Sequence, residues 1–388
     1  MVSDLPGVGK EKPRSGRRGL KLLATGFGLV DPRALGIIRF ESLGTDEGAA
    51  MTRVRRGLFL CLALAFPLIC LGQSAGRLRV SLPPVLASLP IAFAEEWGLF
   101  DAHGVDVEII GMTDNEVRSA ALASGSLDLV IEDITQFLVD IDGGQGLLAT
   151  SAAYIQPQTT SQQVALVSAG IFRMETIDDL VASGNTVGTV FRSDHEYLLD
   201  RLFETALDDG VKAPRYLYMT DVLFLATWFG AGMMPAVVLP EPYISYIGAY
   251  KPAGIENPLV QVVILDDFAE FDRLPHLLVF RSDYVEAHPE AVDAFYAAYV
   301  EAIERLNGMS RDEIVETGLG VVLPLFFQGA DRALIGEDVL DALSIPAFDL
   351  PVTFDQEQFD SVVAWALEKG YAYIRPEYEM VVSCAFVP

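Results

Sequence analysis

Short apolar runs alternate with helical patterns along residues 78–131, and this alternation restricts the fold of the chain more than any other feature. Each predicted strand is separated from the next by one predicted helix. The predicted elements are, in order, a strand over 78–82, a helix over 90–97, a strand over 105–110, a helix over 114–123 and a strand over 127–131. A β-α-β-α-β succession requires a mostly parallel sheet with helices on both faces.

The same alternation returns after residue 160 and predicts a second α/β lobe. Its predicted elements are a strand over 164–167, a helix over 176–182, a strand over 186–190, a helix over 195–207 and a strand over 236–239. Two further apolar runs, 261–265 and 276–280, are extended, and we expect them to lead the chain back to the first lobe.

Helices are predicted for the C-terminal part. One helix begins at Pro289, in the first turn where proline is tolerated, and ends by Gly308. The last predicted helix starts at the capping residue Asp355, with Gln358 at the reciprocal position of a capping box. Gly370 is placed to end it.

Residues 51–76 have the pattern of a secretory signal peptide. Three arginines precede an apolar run over 57–71, and small and polar residues follow it up to residue 76. The run of about 15 residues is short for a membrane span, which needs about 20; a membrane anchor remains the alternative. We predict that translation begins at Met51 and that residues 1–50 are an upstream extension. Cleavage before Cys70, with lipid attached to it, is a second possibility.

The charge of the chain excludes some partners. The full sequence has 27 Lys and Arg against 54 Asp and Glu, a net charge of −27. Residues 1–76 hold 11 basic and 6 acidic residues, so the remaining 312 residues carry −32 and keep one cysteine, Cys384. Such a chain is repelled by nucleic-acid phosphates and anionic lipid. It cannot form an internal disulfide, and we expect no nucleic-acid partner.

Motifs of catalysis or cofactor binding are missing from the sequence. It contains no Walker loop, G-x-G-x-x-G, H-E-x-x-H or C-x-x-C, and its one G-x-S-x-G, at 72–76, lies at the end of the predicted signal peptide. The four histidines are scattered without the spacing of metal ligands. The sequence therefore predicts neither an enzyme nor a bound metal or cofactor.

Five segments, in the same order along the chain, resemble those of a known family. They are LPIAFAEEWGLFDAHGVDVEI at 89–109, RSAALASGSLDLVIED at 118–133, AVVLPEPYIS at 236–245, RSDYVEAHPEAVDAFYAAYVEAI at 281–303 and WALEKGYAYIRPEYEMVV at 365–382. Together they resemble the nitrate/sulfonate/taurine and thiamine-precursor group of ABC-transporter substrate-binding proteins. One departure is the Gly-Asp usual before the Glu-Pro strand, where this chain has Gly232-Met233-Met234-Pro235.

The resemblance implies an α/β, two-lobed periplasmic-binding-protein fold of type II, with mostly parallel sheets and two extended crossovers. The first lobe would comprise 77–166 and, with the C-terminal helices, 267–388; the second lobe would comprise 167–266. A small molecule would be captured in the cleft by hinge closure, and the partners would be an ABC permease and its ATPase. The protein would be an exported monomer on the outer side of the cytoplasmic membrane, without a cofactor.

Ligands of open α/β sheets bind beyond the carboxyl ends of the strands and near helix N-termini. Residues at those places are the candidates for the cleft. The predicted ligand-binding residues are Pro83, Pro84, Asp133, Ile134, Phe191, Arg192, Ser193, Asp194, Trp228, Glu241 and Tyr243. Ser193 or Asp194 could equally be the N-cap of the next helix, and Trp228 could be part of the core or an aromatic wall for a flat ring.

Carboxylates outnumber cations among these candidates. Asp133, Asp194 and Glu241 are acidic, whereas Arg192 is the only arginine among the candidates. This balance favours a neutral or cationic heterocycle, such as a thiamine-type aminopyrimidine, over the alternative of nitrate, sulfonate or taurine. A same-fold enzyme of pyrimidine or menaquinone biosynthesis is a further alternative. The Cys-rich motif of the synthases is missing, and an export signal does not suit a cytosolic pathway.

Overall fold

The computed structural model describes residues 77–153, 164–251, 260–272, 274–327, 341–342, 346–383 and 385–386. The predicted extension 1–50, the signal peptide 51–76 with Cys70, and Cys384 lie outside these residues and stay predictions. None of the helices in the described ranges has both the length and the hydropathy to cross a membrane.

The described residues form two five-stranded sheets. In the first sheet the order is β2 (Val107–Ile109), β1 (Leu78–Ser81), β3 (Leu129–Glu132), β10 (His276–Arg281) and β4 (Leu147–Ala153). In the second sheet it is β7 (Tyr216–Met219), β6 (Val187–Val190), β8 (Ala236–Pro240), β5 (Val164–Ala169) and β9 (Val262–Asp266). β10 and β5 run antiparallel to both of their neighbours, so each sheet is mixed.

Helices cover both faces of each sheet. Those between the strands of the first sheet are α1 (Leu89–Glu96), α2 (Leu99–His103), α3 (Asn115–Ala123) and α4 (Ile134–Asp142). Those of the second are α5 (Ile177–Ser183), α6 (Asp194–Ala206), α7 (Val222–Gly230) and α8 (Tyr243–Ala249). After β10 come α9 (Ser282–Ala287), α10 (Pro289–Gly308), α11 (Arg311–Phe326), α12 (Gln356–Lys369) and α13 (Tyr378–Val381). The predicted two-lobed α/β fold is confirmed.

Alternation along the central strands divides the first lobe's core in two. Ile131 of β3 packs in a cluster with α1, α2 and α10, while its neighbour Val130 packs in another with α4 and α12. Successive side chains of a strand point to opposite faces, so a strand buried on both faces reads as a continuous apolar run. The second sheet of the structure lies between Val164 and Asp266, and the lobe boundaries drawn from the sequence stay predictions.

Local capping residues fix where several helices begin. Asp114 accepts a hydrogen bond from the amide of Val117 at 3.0 Å, and Asp355 accepts from the amide of Gln358 at 3.0 Å. Gly370, with φ of 70°, ends α12. These caps were predicted from the sequence because each depends on residues within one helical turn.

A close approach of α11 to α1 gives a stability prediction with a control in the same helix. A Cβ on Gly318 would overlap the ring of the fully buried Phe93, whereas one on Gly320 meets nothing within 4 Å. We expect Gly318→Ala to lower the free energy of unfolding by about 1–3 kcal/mol through overpacking. Gly320→Ala should raise it by about 0.5–1 kcal/mol through helix propensity. Urea denaturation measures both, and equal changes in the two variants would contradict the predicted contact.

Candidate functional site

A cavity of about 50 Å³ lies between the lobes, at the edge where β1, β3 and β6 end. The first lobe contributes Pro83, Pro84, Val85 and Ile131 as apolar lining and Thr113, Asn115, Arg118, Glu132, Asp133, Gln136 and His276 as polar lining. The second lobe contributes Val190, Ser193, His195 and Val222. Residues of both lobes therefore line the cavity.

Four of the residues predicted from the sequence line this cavity. They are Pro83, Pro84, Asp133 and Ser193. Ser193 is also the N-cap of α6, because its hydroxyl accepts from the amide of Glu196. This geometry decides between the two N-cap candidates that the sequence left open.

Ile134 and Asp194 face each other where the two lobes touch. The carboxylate of Asp194, in the first turn of α6, accepts from the amides of Ile134 (3.3 Å) and Thr135 (3.1 Å) and from the Thr135 hydroxyl (2.6 Å). In return, Asp133 at the N-cap of α4 accepts from the Asp194 amide at 3.4 Å. Each helix start therefore receives a carboxylate of the other lobe. We call these four residues, Asp133, Ile134, Thr135 and Asp194, the interlobe clasp.

Asp194 is buried and Asp133 is half-buried, and the loss of water around them changes the proton affinity of both carboxylates. Burial, followed by the repulsion of Asp194, raises the pKa of Asp133 well above its ordinary range. Burial also raises the pKa of Asp194 to about 6, against the hydrogen bonds from Thr135 and Ile134 that lower it. Near neutral pH the clasp is therefore negatively charged, and mild acidification protonates Asp194.

A second polar network joins α6 to the end of α12, which packs on α4 in the first lobe. Lys369 Nζ lies 2.9 Å from both the Glu196 and Asp200 carboxylates. Glu196, whose side chain is fully buried, also accepts from the Tyr371 hydroxyl at 2.7 Å, and Asp200 accepts from Trp365 Nε1 at 2.8 Å. We call these residues the α6–α12 network.

Phe191 and Arg192, two other predicted site residues, pack against Tyr371 of this network. The Phe191 ring packs edge-on against Tyr218 and Tyr371. Arg192 has a φ of 54°, and its guanidinium lies 5.4 Å from the centre of the Tyr371 ring. Neither residue lines the cavity, and their contact with a ligand stays a prediction.

Glu241, Tyr243 and Trp228 do not line the cavity. Glu241 accepts from the amide and hydroxyl of Ser245 at the start of α8. The Tyr243 hydroxyl donates to the carbonyl of Pro84 and thereby supports a cavity-lining loop. The Trp228 ring packs at 5.4 Å from that of Phe224, against the large apolar cluster. For these three also, ligand contact stays a prediction.

Four charged or titratable residues of the cavity were not among the predicted set: Arg118, Glu132, His195 and His276. Glu132 stands at the end of β3, directly before Asp133. His276 is at the start of β10, which runs antiparallel, so its first residue lies at the edge where β3 ends. A search of strand ends alone misses such a residue, as it misses Arg118 and His195 on helices.

Arg118, the arginine that lines the cavity, already donates hydrogen bonds within its own lobe. Arg118 is 5% exposed and donates to the carbonyls of Met112 (3.1 Å) and Thr113 (2.9 Å) and to Asn115 Oδ1 (2.5 Å). Burial lowers its pKa. Burial lowers the pKa of His276 to about 4, and the positive charge of Arg118 lowers it further. Burial also lowers the pKa of His195 to about 4, and His276 lowers it further. Both histidines are neutral at pH 7.

The lowered pKa values of the two cavity histidines predict an unusual pH dependence of stability. Between pH 4 and 6.5 the unfolded chain binds more protons at His276 than the folded chain does, so acidification destabilises the fold there. Asp194 has the opposite effect. Its pKa is about 6 in the folded chain and 3.8 in the unfolded chain, so the folded chain binds more protons there and acidification stabilises the fold. We expect His276→Gln, relative to the wild type, to gain about 1–2 kcal/mol in stability between pH 7 and pH 5.

Urea denaturation of both proteins at the two pH values measures this gain. His103→Gln is the control, because His103 pairs with Glu301 outside the cavity, and it should show no such gain. A gain of the same size in the control would disprove a special role of the buried ring.

Comparisons with known proteins identify a matching family and a shared fold. The family model described as NMT1/THI5 like matches residues 87–307, more than half of the chain. No curated protein matches the sequence. The family match agrees with the resemblance of the five sequence segments.

Three solved structures share the fold at low identity. The ligand-binding component of an ABC-type import system from Staphylococcus aureus has a TM-score of 0.61 at 14% identity, covering 80% of this chain and 97% of that one. The alkanesulfonate-binding protein of Xanthomonas axonopodis pv. citri, bound to MOPS, has 0.58 at 15%, covering 79% and 97%. The periplasmic nitrate-binding protein of Synechocystis has 0.54 at 12%, covering 78% and 83%.

Proposed function

The chain belongs to the NMT1/THI5-like family, and on that premise we propose that it is the solute-binding component of an ABC importer. The observation that carries the proposal is the cavity between the lobes, walled by both of them and bordered by the interlobe clasp. Hinge closure around a small molecule would bury it there, and the closed form would be recognised by the permease.

Export and partners follow from the same proposal. The predicted signal peptide at 51–76 would carry the protein to the periplasm, or to the outer face of the cytoplasmic membrane if lipid is attached. A permease and its ATPase would be the partners. The protein would bind and release its solute unchanged, which separates it from a same-fold enzyme.

For the ligand we propose a thiamine-type aminopyrimidine. Acidic Glu132 and Asp133 and neutral His195 and His276 line the cavity, and these groups suit ring nitrogens and amino groups. Arg118 is occupied by carbonyl groups of its own lobe. A nitrate, sulfonate or taurine ligand is the second candidate, favoured by the likeness of the fold to an alkanesulfonate-binding and a nitrate-binding protein.

Thermal unfolding with added solutes tests the proposal. At about 100 times Kd, a bound ligand stabilises the fold by about 2.7 kcal/mol. We expect 4-aminopyrimidines to stabilise the purified protein and to be recovered unchanged after denaturation. Stabilisation by taurine or nitrate alone would reverse the ligand assignment. Conversion of the pyrimidine to a product would instead indicate a same-fold enzyme.

A further inference from the structure

Two buried polar atoms border the interlobe cavity without a hydrogen-bond partner. Glu132 is 4% exposed, and its Oε1 has no partner among the residues that the structure describes. His195 is half-buried, but its Nδ1 atom is buried and, within the described ranges, also has no partner. The two residues come from different lobes and line the same cavity. Because a buried polar atom without a partner is costly, such a pair points to a ligand that supplies the missing bonds.

The groups around Glu132 show which kind of bond is missing. The carboxylate of Asp133 follows it in sequence, that of Asp140 faces it from α4, and Arg118 faces it from α3. His276 of β10 and His195 of α6 complete the titratable lining. Arg118 donates to two backbone carbonyls and to Asn115. Carboxylate oxygens therefore exceed the donors available to them, and the missing partner of Glu132 is a donor.

We propose that Glu132 and His195 recognise the ligand directly and that the ligand presents N–H donors on a cationic group of the amidine class. The inference rests on the proposed function of solute capture and specifies the chemistry of that same site. An amidinium offers several N–H donors in one plane, which matches a carboxylate as acceptor. His195 provides a neutral ring nitrogen that hydrogen-bonds to the same group from the second lobe.

The size of the cavity limits what fits between the two residues. About 50 Å³ has room for about four water molecules. An amidinium with one methyl group has four non-hydrogen atoms, so it fills such a space. In a larger ligand, this group is the part that enters the cavity.

The pH dependence of binding distinguishes a cation from an anion at this site. Burial, then Asp140, raises the pKa of Glu132 well above its ordinary range, although Arg118 acts against this. A cationic donor that binds the carboxylate form therefore displaces a proton, and its affinity increases with pH. An anion that accepts a hydrogen bond from the protonated acid would bind less tightly as pH rises.

Acetamidinium and acetate are the matched probes, because they have the same shape and opposite charge. Their binding to the purified protein is measured by calorimetry and thermal unfolding at pH 6 and pH 8, at constant ionic strength. We expect acetamidinium to bind and acetate not to, with the acetamidinium Kd falling at least about threefold between the two pH values. Methanesulfonate and nitrate serve as probes of the competing anion class.

Variants assign the effect to the two residues. Glu132→Gln should raise the acetamidinium Kd by about 10- to 100-fold, remove its pH dependence and raise the melting temperature of the free protein. His195→Gln should raise Kd by about fivefold. Thr189→Val is the control: Thr189 Oγ1 is also buried and without a partner in the described chain, but it does not line the cavity. This variant should raise the melting temperature and leave Kd unchanged.

The outcomes separate the inference from the proposed function. Binding of acetate, methanesulfonate or nitrate in place of acetamidinium, or an unchanged Kd in Glu132→Gln, would overturn the inference and leave solute capture intact. A Kd for acetamidinium that rises with pH would overturn it as well. No response to any of these probes or to the aminopyrimidines would overturn both proposals.

Discussion

Replacing Lys369 by methionine is expected to lower the free energy of unfolding by about 2–4 kcal/mol, because it leaves a buried carboxylate without its cation. Lys369 Nζ lies 2.9 Å from Glu196 and 2.9 Å from Asp200, and the Glu196 side chain has no solvent exposure. Burial lowers the pKa of Lys369, but the bonds to Glu196 and Asp200 outweigh burial and raise it overall. The lysine therefore keeps its charge in the α6–α12 network.

The same variant tests how the lobes are held together. Lys212→Met is the control for loss of a lysine, since Lys212 is exposed. Lys369→Met combined with Glu196→Gln should recover part of the lost stability, because the remaining buried group is then neutral. Urea denaturation gives the three values. A Lys369→Met effect no larger than that of Lys212→Met would show that the network contributes nothing to stability.

The fold was predictable because its signals are local. Strand alternation at 105–110 depends on neighbouring residues alone, and caps such as Asp114 and Asp355 depend on amides two or three positions away. The strand order of the sheets could not be derived in this way. No strand order was predicted, since which strand lies beside β10 depends on contacts between residues more than 100 positions apart.

The candidate site was predictable only in part, for geometric reasons. The rule of strand ends found Pro83, Pro84, Asp133 and Ser193, which follow parallel strands at the cavity. It did not find His276, because β10 is antiparallel and begins at that edge. Other cavity residues, such as Arg118, are supplied by helices, and their approach to the cavity depends on how each helix packs.

The positions of Arg192 and Tyr243 show a second limit. Both lie near strand ends, as predicted, yet neither lines the cavity. Arg192 adopts φ of 54°, and its side chain lies over the rings of Phe191 and Tyr371. Tyr243 is buried behind Pro84 and bonds to its carbonyl. A strand end gives the neighbourhood of a residue, whereas the backbone conformation after it decides the direction of the side chain.

Asp194→Ala is expected to weaken ligand binding by about 10- to 100-fold, because Asp194 is the acceptor for three donors of the other lobe. With the carboxylate removed, the amides of Ile134 and Thr135 and the Thr135 hydroxyl lose their partner in the closed form. In an opened form, water molecules accept hydrogen bonds from these amides and from the hydroxyl. The substitution therefore shifts the equilibrium toward the open form, and the apparent Kd rises as the closed fraction falls.

The measurement combines calorimetry, with the solute that most stabilises the wild type, and small-angle scattering of the free protein. Asp179→Ala is the matched control, because Asp179 belongs to the capping box of α5 and accepts from the amides of Glu175 and Thr176 at the start of its own helix, within one lobe. We expect Asp194→Ala to increase the radius of gyration and Asp179→Ala to leave it unchanged, with Kd unchanged as well. If Asp194→Ala kept both the wild-type dimensions and the wild-type affinity, the clasp would be a contact without influence on closure, and capture would have to depend on the ligand and the α6–α12 network alone.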